Sequence, residues 1–228
     1  MTVHPPSVAL RAIAVLVFLL ALAAPASSQS ESGFAKEGGF VGVSFVPDFT
    51  FDGVTFDGQT FYQEIDGEEI VILPRLDVRD LVRVTLGYRA HRAAIEVSYD
   101  YTRHNGTFLD LPGRATFQAV NVDGRLFFAP RSRFQPHLLL GGTLPAFRVK
   151  DGSFLDPDVA DARFKGYGVN TEAGLTIYTH HRVGISVGYN YRILWFDRVK
   201  GVSPTLYDLR PRFRETSGSV VVAGHVIF

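Results

Sequence analysis

From Gly38 to the end of the chain, apolar residues recur at every second position in short runs, with small or polar residues between them. A period of two marks a strand with two unlike faces, because successive side chains of an extended chain point opposite ways. Eight segments carry the pattern: residues 40–46, 81–89, 93–102, 116–128, 134–147, 167–178, 183–192 and 218–228. In the second, Val82, Val84, Leu86 and Tyr88 share one face, and Arg83, Thr85, Gly87 and Arg89 share the other. In the seventh, Ile185, Val187, Tyr189 and Tyr191 alternate with Gly184, Ser186, Gly188 and Asn190. Leu139 breaks the alternation of the fifth by falling on its polar face. No amphipathic helix is evident between the segments.

Which face lies inside decides the class of protein. A soluble sheet buries its apolar face, whereas a membrane barrel turns that face to lipid. The polar faces here are rich in Gly, Ser, Thr and Asn, with charges of both signs, as a narrow lumen requires. Aromatic residues stand at strand ends (Phe45, Tyr88, Tyr101, Phe128 and Phe228), where barrels place their interfacial girdles. The connections also alternate in length. Residues 90–92, 129–133 and 179–182 make short turns, while 47–80, 103–115, 148–166 and 193–217 make long ones. Short turns at one end and long loops at the other belong to a barrel whose termini both face the periplasm. The pattern therefore predicts an all-β fold: a closed, antiparallel, up-and-down transmembrane β-barrel of eight strands. Closure leaves no unpaired edge in the hydrocarbon.

The start of the chain follows a different rule. His4 and Arg11 precede the apolar run 12–24, which ends in Ala24-Pro25-Ala26. These are the parts of a secretory signal, and the run is short for a membrane-spanning helix. The reading is a signal peptide over residues 1–28, cleaved near Ala26 or Ser28, followed by a barrel domain over 29–228. Composition narrows the picture further. The formal net charge of zero implies no nucleic-acid partner, and the absence of cysteine excludes disulfides, thiolate metal sites and a lipidated N-terminal cysteine.

Two stretches carry a family resemblance. Arg125-Leu126-Phe127-Phe128-Ala129-Pro130 runs into Arg133-Phe134-Gln135-Pro136-His137-Leu138-Leu139-Leu140-Gly141-Gly142, and the chain ends Val220-Val221-Val222-Ala223-Gly224-His225-Val226-Ile227-Phe228. These stretches resemble the OmpA-type superfamily of small outer-membrane β-barrels, with His137 where that family often has Tyr. The resemblance implies a cell outer-membrane location and two partners, the surrounding outer-membrane lipids and the outer-membrane assembly machinery. It also implies that Phe228, Val226 and Val222 form the terminal signal which that machinery reads.

The candidate chemistry is mostly inside. An eight-stranded barrel is just wide enough to be filled by side chains. By parity Arg83, Glu96, Asp100, Asp123, Arg125, Glu172 and Arg192 all enter the lumen. Charges in a low-dielectric interior need partners, so these seven read as an ion network, with Arg83 opposite Glu96 or Asp100 and Arg125 near His137 or Leu139. No catalytic residue, metal ligand or cofactor is assigned. A lipid deacylase would need a His-x-Ser pair with an orienting acid, and no His here has Ser two positions later. His180 and His181 are adjacent and in a strand would face opposite ways; the Asp-rich stretch 156–161 lacks calcium-loop spacing. The first long connection interleaves Phe51, Phe56, Phe61 and Tyr62 with Asp-Gly turns. It reads either as a hairpin packed on itself or as a recognition surface for an extracellular ligand. The expectation is a non-enzymatic, porin-like outer-membrane barrel with structural or surface-interaction duties. A deacylase-like lipid enzyme and a soluble, lipocalin-like periplasmic binder are the alternatives.

Overall fold

The computed structural model describes residues 33–49, 61–65, 68–73, 75–76, 79–108, 111–150, 161–200 and 213–228. The strands are β1 (Gly38–Phe49), β2 (Phe61–Ile65), β3 (Glu68–Leu73), β4 (Arg75–Leu76), β5 (Arg79–Arg89), β6 (Ala93–Phe108), β7 (Leu111–Phe127), β8 (Phe134–Lys150), β9 (Asp161–His180), β10 (Val183–Lys200) and β11 (Phe213–Ile227). Eight of them, β1 and β5 to β11, form a ring in which each pairs antiparallel with its chain neighbour. The ring closes where β1 meets β11, with Val43 opposite Gly224 and Phe45 opposite Val222. Every strand of the ring therefore has a partner on both sides, the condition for crossing hydrocarbon without unpaired backbone.

Side chains sort as the period of two demands. Leu86, Ile95 and Leu140 point outward and are 60%, 61% and 70% exposed. They belong to an apolar outer band that also includes Val122, Leu144, Val187 and Val220. The inner face buries polar groups instead. An apolar exterior around a polar interior is the inverse of a soluble lipocalin-like barrel, so the fold is that of a membrane barrel.

The interior is layered along its axis. Near the short turns, Ala35, Phe40, Ala94, Phe127, Tyr178 and Ile227 form an apolar cluster. Polar and charged side chains fill the middle. Toward the far ends of the strands the interior turns apolar again, with Val46, Leu81, Phe117, Phe147, Phe164, Leu194 and Phe196 all buried.

Ahead of β1, residues 33–37 lie across the end of the barrel that bears the short turns. Lys36 donates its backbone N–H to His181 O (2.7 Å) in the β9–β10 turn, and Phe34 donates to Pro130 O (3.0 Å) in the β7–β8 connection. Gly33 abuts His91 of the β5–β6 turn, where a Cβ would lie 3.3 Å from the ring. This short strap thus touches all three turns.

The long connections differ from expectation. Residues 103–115, read as a loop, are almost entirely ladder: β6 and β7 stay paired up to Phe108 opposite Leu111. Strands β8, β9 and β10 likewise run several residues past the expected ends. Apolar alternation stops where lipid stops, but main-chain ladder bonds need no apolar side chains and continue. The expected first long loop, 47–80, contains the hairpin β2–β3 and the short β4, which pairs Arg75 with Thr107 of β6.

A plugged lumen as the candidate functional site

Strand register brings the inward charges together. Arg83 of β5 stands directly opposite Asp100 of β6. Its Nε donates to Asp100 Oδ1 (2.7 Å) and its Nη2 to Oδ2 (3.3 Å). Arg192 reaches the same carboxylate from β10, with Nη1 2.6 Å from Oδ2. That approach lies off the hydrogen-bond direction, whereas Arg192 Nε donates properly to Asn190 Oδ1 (2.9 Å). Asp100 is thus shared by two guanidiniums and is fully buried, at 0% exposure.

The second centre is Arg125 of β7. Its fork binds Glu96 twice, Nε to Oε1 at 2.6 Å and Nη2 to Oε2 at 3.1 Å. A planar guanidinium suits such bidentate pairing where an ammonium would not. Arg125 Nη1 also donates to Glu172 Oε1 (3.2 Å) and lies 2.6 Å from His137 Nε2. The same Nε2 is 3.1 Å from Glu172 Oε1. It accepts from the guanidinium or donates to the carboxylate, and cannot do both at once.

Asp123 is held differently: Asn170 Nδ2 donates to its Oδ1 (2.8 Å). Its place depends on Gly141, the residue opposite in β8, where a Cβ would sit 1.8 Å from Asp123 Oδ1. Only a glycine lets that carboxylate cross the lumen.

Arg89 was not among the sequence candidates, although it lies on the polar face of β5. It is buried, stacks over Phe127 at 3.8 Å, and donates to Tyr178 Oη (2.7 Å) and Gln135 Oε1 (2.5 Å). Four arginines (Arg83, Arg89, Arg125, Arg192) then face four carboxylates (Glu96, Asp100, Asp123, Glu172), so the described lumen is close to neutral. The missed signal was Arg89's period-two spacing from Arg83 by way of Thr85 and Gly87.

A cavity of about 40 Å³ lies between the Arg125 centre and the apolar cluster, bordered by Thr176, Ser186 and His225. That is room for about two or three water molecules.

One local geometry has the form of a catalytic relay. His137 stands between Glu172 and Thr176, whose Oγ1 is 3.2 Å from His137 Nδ1. All three side chains are buried within the lumen. His180 and His181, placed in a short turn by the sequence, have ring centroids 3.7 Å apart at the β9–β10 turn. In this turn His181 is held below the ordinary imidazole range by partial desolvation, and further by the charges of His180, Arg182 and Lys36. Among the described residues no cluster of three or more His, Cys, Asp or Glu could hold a metal ion.

The other sequence candidates sit apart from the lumen. Phe228 and Val222 are exposed on the outer wall and Val226 is half-buried there; Phe228 donates its N–H to Gly39 O (2.9 Å) across the seam. Phe61 and Tyr62 open β2, where Tyr62 pairs with Val71. Phe51, Phe56 and the signal-peptide segment 1–28 lie outside the described residues.

Known proteins with this architecture are also outer-membrane barrels. Neisserial surface protein A is similar over 84% of this chain and 97% of its own, with a TM-score of 0.53 and 14% identity. OprG from Pseudomonas aeruginosa is similar over 85% and 97%, with a TM-score of 0.52 and 14% identity. The outer membrane protein AlkL covers 90% and 97%, with a TM-score of 0.51 and 8% identity. At such identities the likeness is one of fold. No curated protein matches the chain. The outer membrane protein beta-barrel domain family matches residues 14–208, most of the length; the closed ring, the inverted polarity and this match together place the chain in that family as an outer-membrane β-barrel.

Proposed function

We propose that this barrel is a non-enzymatic component of the outer membrane, with structural and surface-interaction duties, and that its lumen is a packed plug and not a path for solutes. The observation that carries the reading is the sealed ion network. Charges of both signs are paired with each other across the lumen, and apolar layers stand at both ends. A conduit keeps its polar groups hydrated and open; here the charged groups at the middle of the lumen are paired with each other. Export by the N-terminal segment and assembly through the terminal strand belong to the same reading. So does an extracellular contact through the long connections, whose aromatic residues Phe51, Phe56, Phe61 and Tyr62 supply its apolar part.

Planar-bilayer recording tests the plug. The refolded, full-length barrel is expected to insert without steady single-channel current. Large, stable conductance steps from purified protein would overturn the reading, because an open pore of that kind requires the central network to be dispersed.

A further inference from the structure

The charges of the lumen balance in number but not in place. Arg83 and Arg192 share Asp100, and Arg125 holds Glu96 and Glu172. Asp123 is bound by the neutral Asn170. Arg89 is left as a guanidinium that touches no carboxylate among the described residues. It is 2% exposed, and its two acceptors, Tyr178 Oη and Gln135 Oε1, are neutral. Its Nε–H has no acceptor. Two acids act on it from farther away. Glu96 has both oxygens occupied by the fork of Arg125, and Glu37 is exposed on the strap. A buried ion is costly unless it is paired, and neutral acceptors do not cancel its charge.

Arg89 borders the cavity of about 40 Å³ beside the apolar cluster. Three strands bring hydroxyl groups to the same space: Ser44 from β1, Thr85 from β5 and Ser186 from β10. Hydroxyls donate to an anion without adding charge of their own. Glu96 borders the cavity as well, but its charge is committed to Arg125. One water needs about 10–15 Å³ of such space, so the cavity admits a monatomic anion with a water beside it and excludes a polyatomic organic acid.

We infer that this cavity is a binding site for a small monovalent anion of chloride size, which gives Arg89 the counter-charge that the chain does not supply. The ion completes the charge balance of the layer between the central network and the apolar cluster. The inference goes beyond the plug reading, which conductance tests separately.

Thermal unfolding of the refolded, full-length barrel in zwitterionic micelles tests the site, with sodium chloride compared against sodium gluconate at equal ionic strength. A ligand of the folded state stabilises with the logarithm of its concentration once the site fills. The unfolding midpoint is therefore expected to climb with chloride and not with gluconate. Arg89→Met removes the charge at similar length and is expected to abolish the chloride response. Thr85→Val keeps the charge and the shape but removes one donor. It is expected to raise the half-saturating chloride concentration about tenfold, the usual worth of a hydrogen bond to an ion. Crystals grown in sodium bromide are expected to show an anomalous peak beside Arg89. Equal midpoints in chloride and gluconate would overturn the inference and make the cavity a water site. A chloride response that survives Arg89→Met would overturn it too, by placing the ion elsewhere. A wild-type barrel indifferent to chloride, whose midpoint falls on Glu37→Gln, would make the strap's Glu37 the counter-charge instead.

Discussion

Asp100 is one carboxylate with two guanidiniums, and this changes what removing each partner does. When Arg83 is truncated to Leu, Asp100 keeps Arg192 at 2.6 Å. When Asp100 is truncated, both arginines lose their partner in a buried site, and a stranded buried charge typically costs about 3–5 kcal/mol. Asp100→Leu is therefore expected to destabilise the barrel more than Arg83→Leu, as read by urea unfolding in detergent micelles. Removing Arg83 and Asp100 together still strands Arg192, so relief requires all three changes, Arg83→Leu, Asp100→Leu and Arg192→Leu. A triple variant less stable than Asp100→Leu alone would contradict this coupling. At this scale the sequence revealed which side chains point inward, since parity alone places all seven candidates in the lumen. It left the pairing of Arg83 open between Glu96 and Asp100, because either partner satisfies parity and only register decides. Contacts between distant strands, such as Arg192 to Asp100 or Asn170 to Asp123, depend on how the sheet curls on itself, and no local pattern encodes that.

Among the elements, the seam between β1 and β11 carries the ring. Phe228 donates its N–H to Gly39 O, and Gly38 has φ +153°, where a Cβ would fall 2.5 Å from Phe228 O. A glycine is required there both by the conformation and by the close approach. Deleting Phe228 is expected to lower the yield of membrane-inserted protein far more than deleting a residue of the 151–160 connection. Gly38→Val is expected to act in the same direction by blocking the seam. Equal yields on a membrane-fractionation assay would remove both residues from closure and from any assembly signal. The eight barrel segments were legible because lipid imposes strict alternation on their middle portions. Their ends away from the short turns were not: beyond the apolar band the period of two fades, and a continuing ladder such as 103–108 against 111–116 looks like a loop. The register shift between Phe196 and Arg198 of β10 was hidden for a related reason, since one extra residue in a strand leaves no mark on composition.

At the scale of the whole molecule, length, the export-like N-terminus and the alternation of short and long connections led to a closed barrel. The layered interior was not foreseen: Phe117 and Phe147 fall on the polar parity of their segments, and Phe164 and Phe196 lie in stretches expected to be connections. Seen along its axis, the molecule is an ion-paired middle held between two apolar seals, and the strap of residues 33–37 lies over one of them. The three turns that hold the strap belong to different hairpins, β5–β6, β7–β8 and β9–β10. They come within its reach together only after the sheet has curled and joined. The strap is thus a latch whose engagement records completion, and it gives assembly a final, chemically readable step. Trypsin is expected to cut after Lys36 in a chain whose ring is still open and to spare that bond once Lys36 N–H is tied to His181 O. Cleavage at equal rates before and after membrane insertion would show that the latch closes independently of the ring. In the expected case, a protease clock set on one lysine at the short-turn end of the barrel times the joining of β1 to β11.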